Sequence, residues 1–334
     1  MKTQNKFSLR YVLANYALYI IMVLMILVIG MMSPKFFSLR VLRDILMQSS
    51  TRIIVAMGCM YILVMGAADL SGGRTVGLAA VVAGSFAQKA DYYIKFWPKL
   101  PEMPVIVPVF AAVLIGLLVG ISNGFVTTKL KVPSFLATLA VMMVAYGANL
   151  LYCNKAPNNS QPLGGFLKSF SNLGTGSFLG IPYIIYIALA VCVFQHILLT
   201  KTCLGREIFA CGCNQEASRV SGINTFKVQM ISFALAGACY GLAGALEVAR
   251  TGSATSSYGN SYEMDAIASC IVGGCSMTGG VGNVFGVFIG VLIFNIINYG
   301  LTFIGLSSYW QWVVKGLIII IAVSFDMRKF SKDS

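Results

Sequence analysis

The sequence predicts an all-α protein, a polytopic transmembrane helical bundle of about ten spans. Three observations predict it. Hydrophobic residues make up 57% of the 334-residue chain and charged residues only 10%, with a mean hydropathy of +0.81. A soluble domain carries roughly 25% charged residues, so a chain this apolar needs lipid as its solvent. Several apolar runs reach about 20 residues, the length a helix needs to cross a bilayer; Tyr11 to Met32 contains no charge at all. The runs are continuous rather than alternating, which selects helices over a barrel.

Taken in order, the spans read at about 11–32, 51–67, 72–88, 104–124, 134–152, 181–199, 229–249, 264–276, 281–300 and 309–326. The first run is too long for a cleavable signal. Lys2, Lys6 and Arg10 precede it, and Arg328, Lys329 and Lys332 follow the last. Positive charge gathers on the cytoplasmic side, so both termini are expected there and the span count should be even. Lys201 to Lys227 and the pair Lys129 and Lys131 then fall inside as well. Lys35, Arg40, Arg43 and Arg52 run against this rule; Ser38 to Ser50 reads as a short amphipathic helix along the interface. The whole chain, 1–334, reads as a single transmembrane domain, with a cytoplasmic loop at about 200–228 and a polar external loop at about 153–180.

Two joints look broken. Ala68-Asp69-Leu70-Ser71-Gly72-Gly73-Arg74 separates spans two and three, and Gly273 to Gly282 separates spans eight and nine. Both are too short and too rich in glycine for ordinary loops. Counting from spans one and seven, they hold corresponding positions, which suggests a parallel internal repeat. Paired interruptions of this kind point to a transport pathway, because irregular backbone at membrane depth is tolerated only within protein or beside a water-filled cavity. Close helix packing through glycine is the alternative. Asp69, Ser71, Gly72, Gly73, Arg74, Gly279 and Gly280 are therefore candidate pathway residues. Asp69 or Ser71 could cap span three, and Arg74 could pair with Asp69 or donate to a passing hydroxylated solute. Glu247 and Arg250, three apart, suit an ion pair.

Catalytic chemistry finds little support. His196 is the single histidine, so a histidine triad or multi-histidine metal site is not expected, and no phosphate-binding loop of the G-x-x-x-x-G-K-[ST] type occurs. No cofactor and no metal is expected. The net charge of +13 is scattered between apolar runs, which suits contact with membrane lipid and not with nucleic acid. The nine cysteines mostly lie in apolar runs, as small hydrophobes.

The most informative segment is Leu204 to Asn224, LGREIFACGCNQEASRVSGIN. Asn214 suits an N-cap, Gln215 to Ser221 about two helical turns, and Gly222 a C′ stop. A short capped helix carrying Glu216, Ala217 and Arg219 in a cytoplasmic loop suits the docking of a soluble partner.

This segment resembles the coupling-helix loop of permease subunits in bacterial ABC-type monosaccharide importers, the ribose/galactose family. ADLSGGRTVGLAAVVAG, VPSFLATLAVMMVAYG, YEMDAIASCIVGGCSMTGGVGNVFGV and YWQWVVKGLIIIIAV are similar to other signatures of that family, so the resemblance runs from about Phe37 to Phe325. DLSGGRTVGLAAVV, GSATSSYGNSYEMDAIA and NYGLTFIG look closest to its galactose/methyl-galactoside branch; ribose-type relatives tend to lack an arginine at the place of Arg74. Cys213 stands where glycine is usual, and Ser307-Ser308 departs from the usual pair. The resemblance implies a type II-like importer fold in the bacterial cytoplasmic membrane and a homodimer of permease subunits. It also implies a cytoplasmic ATPase subunit with tandem nucleotide-binding domains and an extracytoplasmic sugar-binding protein. Asn214, Glu216, Ala217, Arg219 and Gly222 would belong to the ATPase contact. The ligand would be galactose or methyl-galactoside, with ribose, another sugar or a nucleoside as the alternative. An ion-coupled sugar carrier would want a carboxylate relay at the midplane, for which Asp69 is the one plausible member.

Overall fold

The computed structural model describes residues 23–330; residues 11–22 of the first expected span, and Lys2, Lys6, Arg10 and Lys332, lie outside the described residues. The chain divides into two compact units, one of Met1–Ile45 with Leu292–Ser334 and one of Leu46–Val291. The dividing lines fall within two helices, α2 and α12.

The first unit holds α1 (Val23–Met32), a 3₁₀ turn at Pro34–Phe37, the start of α2 (Leu39–Val64), the end of α12 (Val284–Phe303) and α13 (Ser308–Phe330). Its core is Ile29, Phe36, Val41 and Ile45, packed against Ile296, Tyr299, Phe303 and Ile304. The Phe36 and Phe303 rings meet edge-on at 5.7 Å. Asn295 Nδ2 donates to the Ile45 carbonyl at 3.3 Å. The expected interfacial helix at Ser38 to Ser50 is corrected here. It is the first half of one continuous 26-residue helix, because Val41 and Ile45 already face a core and no glycine or proline falls between Ser38 and Met57.

The second unit carries the rest of α2, then α3 (Gly72–Phe86), α4 (Ile106–Thr128), α5 (Ser134–Asn154), α6 (Lys168–Thr175) and an antiparallel hairpin, β1 (Ser177–Phe178) and β2 (Ile181–Pro182). Leu179 and Gly180 turn the hairpin with φ of 50° and 81°, the positive pair that two-residue hairpins prefer. There follow α7 (Tyr183–Lys201), α8 (Cys203–Cys213), α9 (Gln215–Val220), α10 (Thr225–Thr251), α11 (Tyr262–Val272) and the start of α12.

Glycines at i, i+4 and i+8 set the closest helix contact. A Cβ on Gly116 of α4 would strike the Gly237 carbonyl of α10, one on Gly237 would strike the Gly116 carbonyl, and one on Gly120 the Phe233 carbonyl. This small-residue packing lets backbones touch where lipid offers no hydrophobic driving force. The outward side of α4 carries Phe110, Leu114, Leu118, Ile121 and Phe125, all exposed. Such a stripe is stable against lipid and not against water.

Among the described residues, six helices are long and apolar enough to cross a membrane: α2, α4, α5, α7, α10 and α12. Val23–Met32 and Tyr309–Ile321 are shorter apolar helical segments. A count of ten full spans is therefore not confirmed. Two of the expected spans are short for a physical reason. At 1.5 Å per residue, α3 and α11 reach roughly 22 Å and 16 Å, against a hydrocarbon core of about 30 Å. The first short helix follows its joint and the second precedes its joint, so the order is long–joint–short and then short–joint–long, the reverse of what a parallel repeat requires.

Candidate functional site

The first joint opens where α2 stops. Gly66 adopts φ +70°, its amide bonds the Leu63 carbonyl and that of Ala67 the Ile62 carbonyl, the paired bonds of a glycine helix stop. Side chains then satisfy the irregular backbone. Asp69 Oδ1 accepts from the Ser71 amide at 2.8 Å and from Ser71 Oγ at 2.7 Å. Asn123 of α4 donates to Ser71 Oγ at 2.6 Å, and Thr138 of α5 accepts from the Leu70 amide at 3.1 Å. The Tyr240 hydroxyl of α10 also bonds Asp69. Asp69, Ser71, Asn123 and Thr138 are all buried. Asp69 thus stabilises the turn into α3, and Ser71 makes no side-chain cap of its own.

Arg74 does not pair with Asp69. Among the described residues the ion pairs are Arg52–Asp265, Arg219–Glu216 and Arg250–Glu247. Arg74 Nη2 donates instead to Asn260 Oδ1 at 2.9 Å, and its guanidinium lies 4.1 Å from the Tyr146 ring centroid. Gly73 is bare because a Cβ there would collide with the Glu263 carboxylate and the Gly259 carbonyl; Gly77 likewise meets the Tyr258 carbonyl, and Gly84 meets Ala254. The segment 254–259 therefore runs antiparallel along α3. It is a run of turns leading into α11, pinned at Ala254 by paired backbone bonds to Leu163, both 2.8 Å.

Beside this lies a buried charged cluster that sequence reading found only in part. The expected Glu247–Arg250 pair forms at 2.8 Å. Thr51 Oγ1 and the Tyr262 hydroxyl also donate to Glu247, at 2.8 and 3.1 Å. Arg52 bonds Asp265 at 3.3 Å and sits 3.2 Å from the Tyr262 ring centroid. Two cations and two anions thereby lock α2, α10 and α11 together, which compensates the cost of burying each charge.

The second joint is built from backbone. Gly274 and Cys275 close α11 with bonds to Ile271 and Cys270, both 2.9 Å, the same stop that ends α2. Gly279 and Gly280 follow with φ +90° and +73°, and the Gly280 amide reaches across to the Val64 carbonyl at 2.8 Å. Side chains add one small turn, in which Ser276 Oγ bonds Thr278 Oγ1 at 2.7 Å and accepts from the Thr278 amide. The structure therefore brings Gly279 and Gly280 against the end of α2, next to the first joint. The end of α8 completes the contact. A Cβ on Gly212 would strike the Val64 carbonyl and come within 2.6 Å of the Gly280 amide, and one on Gly279 would lie 2.6 Å from the Gly212 carbonyl.

Two residues later comes α9. Asn214 Oδ1 caps it by accepting from the Ala217 amide at 2.9 Å. Gly222, at φ +89°, ends it, with its amide on Arg219 and that of Ile223 on Ser218, both 3.1 Å. Ser218 turns inward, while Gln215, Glu216, Ala217, Arg219 and Val220 are exposed. Glu216 and Arg219 approach to 3.9 Å, an exposed pair of little energetic weight. All five residues expected on this helix stand where the sequence put them.

His196 is exposed on α7, and the nine cysteines are free thiols. Among the described residues no cluster of histidine, cysteine and carboxylates could hold a metal. An open cleft of about 470 Å³ bordered by Lys89, Asp91, Glu102 and Lys168 lies past the far end of α3 from Asp69, away from both joints. Asn123, Thr138, Tyr240 and the Arg52–Asp265 pair escaped sequence reading. Single polar residues within apolar runs were their only signal.

The chain is 42% identical to the galactose/methyl galactoside import permease protein MglC of Escherichia coli (strain K12), over 99% of each chain. It is 40% identical to the MglC protein of Haemophilus influenzae over 96% of each, and 36% identical to the ribose import permease protein RbsC of Escherichia coli (strain K12) over 93% of this chain and 92% of that one. No solved structure matches. A family model described as the branched-chain amino acid transport system/permease component matches residues 41–323, and the chain belongs to that family of membrane permeases.

Proposed function

We propose that this chain is the membrane-spanning permease subunit of an ATP-driven importer that moves galactose or methyl galactoside across the bacterial cytoplasmic membrane. The observation that carries it is the 42% identity to a galactose/methyl galactoside permease over 99% of both chains. The capped, exposed α9 supports it independently. The chain is a transport component rather than an enzyme. Two copies form the pathway, a cytoplasmic ATPase subunit with tandem nucleotide-binding domains docks on α9, and an extracytoplasmic sugar-binding protein delivers the ligand. Both termini are cytoplasmic, and residues 1–334 act as one permease domain.

The mechanism follows from these parts. ATP binding closes the ATPase, and α9 moves with it through Asn214, Glu216, Ala217, Arg219 and Gly222. The end of α8 carries that motion to the two joints it touches at Gly212. Asp69, Ser71, Gly72, Gly73, Arg74, Gly279 and Gly280 border the path the sugar takes. Ribose import is the second reading, supported by the 36% identity to RbsC.

The test is uptake of labelled galactose in proteoliposomes holding the permease, its ATPase and its binding protein. Uptake should require ATP. Glu216→Arg with Ala217→Trp should uncouple ATP hydrolysis from uptake while membrane insertion stays intact; normal transport by this double variant would remove α9 from the docking contact. Uptake driven by an ion gradient without ATP would remove the importer reading.

A further inference from the structure

A buried carboxylate and a half-buried guanidinium stand near each other without pairing. Glu263 opens α11 and is nine-tenths buried. Its Oε2 has no hydrogen-bond partner. The carboxylate lies against Gly73, so the next residue, Arg74, acts on it electrostatically. Yet no ion pair forms between them. Asn260 and the Tyr146 ring hold the guanidinium away. A guanidinium has five N–H donors, and one hydrogen bond to Asn260 leaves most of them unused. The neighbouring cluster behaves otherwise, since Arg52, Glu247, Arg250 and Asp265 are all paired.

We infer that Arg74, Asn260 and Glu263 form a low-affinity contact for the hydroxyl groups of a neutral polyhydroxylated ligand, a hexose, with Tyr146 as the residue that positions Arg74. This rests on the importer reading above. A hydroxyl is both donor and acceptor. One placed between the two groups gives its proton to Glu263 Oε2 and accepts from Arg74, so both charges are satisfied at once. An anion would face Glu263, and a cation would face Arg74, so the site favours a ligand without net charge. Arg74 comes from α3, Glu263 from the first turn of α11 and Asn260 from the segment just before it, so the two short helices of the broken joints both contribute. Any shift of α3 against α11 separates Arg74 from Glu263 and releases the ligand, as a carrier requires.

Proteoliposomes with the complete transporter and saturating, sugar-loaded binding protein supply the test. Sugar transported per ATP hydrolysed is measured for galactose, for its mono-deoxy analogues and for leucine. Arg74→Gln and Glu263→Gln should each lower the galactose yield ~10-fold, the loss of one charge-assisted hydrogen bond. Arg74→Lys should recover part of it. Each Gln variant should also stop distinguishing galactose from one particular deoxy analogue, whereas a folding defect lowers all sugars alike. Wild-type yield in both Gln variants, or an equal loss for every analogue, overturns the contact and leaves the importer reading standing. Wild-type liposomes that carry leucine and no sugar overturn both, and mark the pair as a site for a zwitterion.

Discussion

The two joints meet at the end of α2, but they are held together by different means. In the first, buried side chains from three helices hold the backbone: Asp69 on Ser71, Asn123 on Ser71, Thr138 on Leu70 and Tyr240 on Asp69. The second is held by amides and carbonyls, with Gly274, Gly279 and Gly280 in the left-handed region. The first therefore depends on which side chains surround it, and the second on having none. A joint built from side chains fixes one arrangement tightly. A joint built from glycine lets a neighbouring backbone come close, and α8 is the neighbour that does.

Gly212→Val should break this arrangement hardest. The added carbons must occupy the space of the Val64 carbonyl and the Gly280 amide, neither of which can yield as a side chain would. Overpacking of this kind costs about 1–3 kcal/mol or more, and we expect little monodisperse protein in detergent and no uptake. A variant that purifies and transports normally would show that the contact between α8 and the joints is dispensable.

The contrast itself is sharpened by comparing Asp69→Ala with Ser276→Ala in denaturant unfolding. Removing Asp69 leaves the buried Ser71 amide and hydroxyl without an acceptor, worth about 1–3 kcal/mol. Removing the Ser276 hydroxyl sacrifices one local turn, about 0.5–1.5 kcal/mol. Equal losses would mean that the second joint also relies on side chains.

The smallest effect is one of reactivity. Cys211 is buried, and burial pushes its thiol above the ordinary range, with Ser218 opposing the shift and Glu207 adding to it. A raised pKa leaves less thiolate at pH 7, and the thiolate is the reactive form. Cys213 and Cys203 are exposed. Maleimide should label these two and spare Cys211, with the gap narrowing as pH rises. Prompt labelling of Cys211 at pH 7 would show that α8 opens away from α9.

How far these parts could be read from the chain depended on how local their causes are. The α9 helix was readable because Asn214 and Gly222 specify its start and stop within nine residues. The Glu247–Arg250 pair was readable for the same reason, being one turn apart. The Arg52–Asp265 pair spans 213 residues and needs the tertiary fold. Proximity along the chain offers Asp69 as one of two readings for Arg74, but Asp69 is committed to the turn that starts α3, and the partner in the fold, Asn260, lies 186 residues away. The packing of the turns at 254–259 on Gly73, Gly77 and Gly84 of α3 is likewise tertiary, joining residues far apart in the chain. The count of ten spans is left unconfirmed for a related reason. Apolar composition tells where a segment is buried, but not whether its helix reaches all the way across.

The seat of Gly212 also bears on how this protein can tolerate change in length. Inserting one residue between Gly212 and Asn214 would turn α9 by about 100° and advance it by about 1.5 Å, pointing Glu216 and Arg219 at a different quarter of space while Gly212 stayed against Val64. An added residue beside Pro101, which is exposed and outside any helix, would only lengthen a loop. The chain should therefore accept insertions freely at that loop and none in the two residues ahead of α9, so a library of single-residue insertions would map the stiff part of the machine without a structure of its partner.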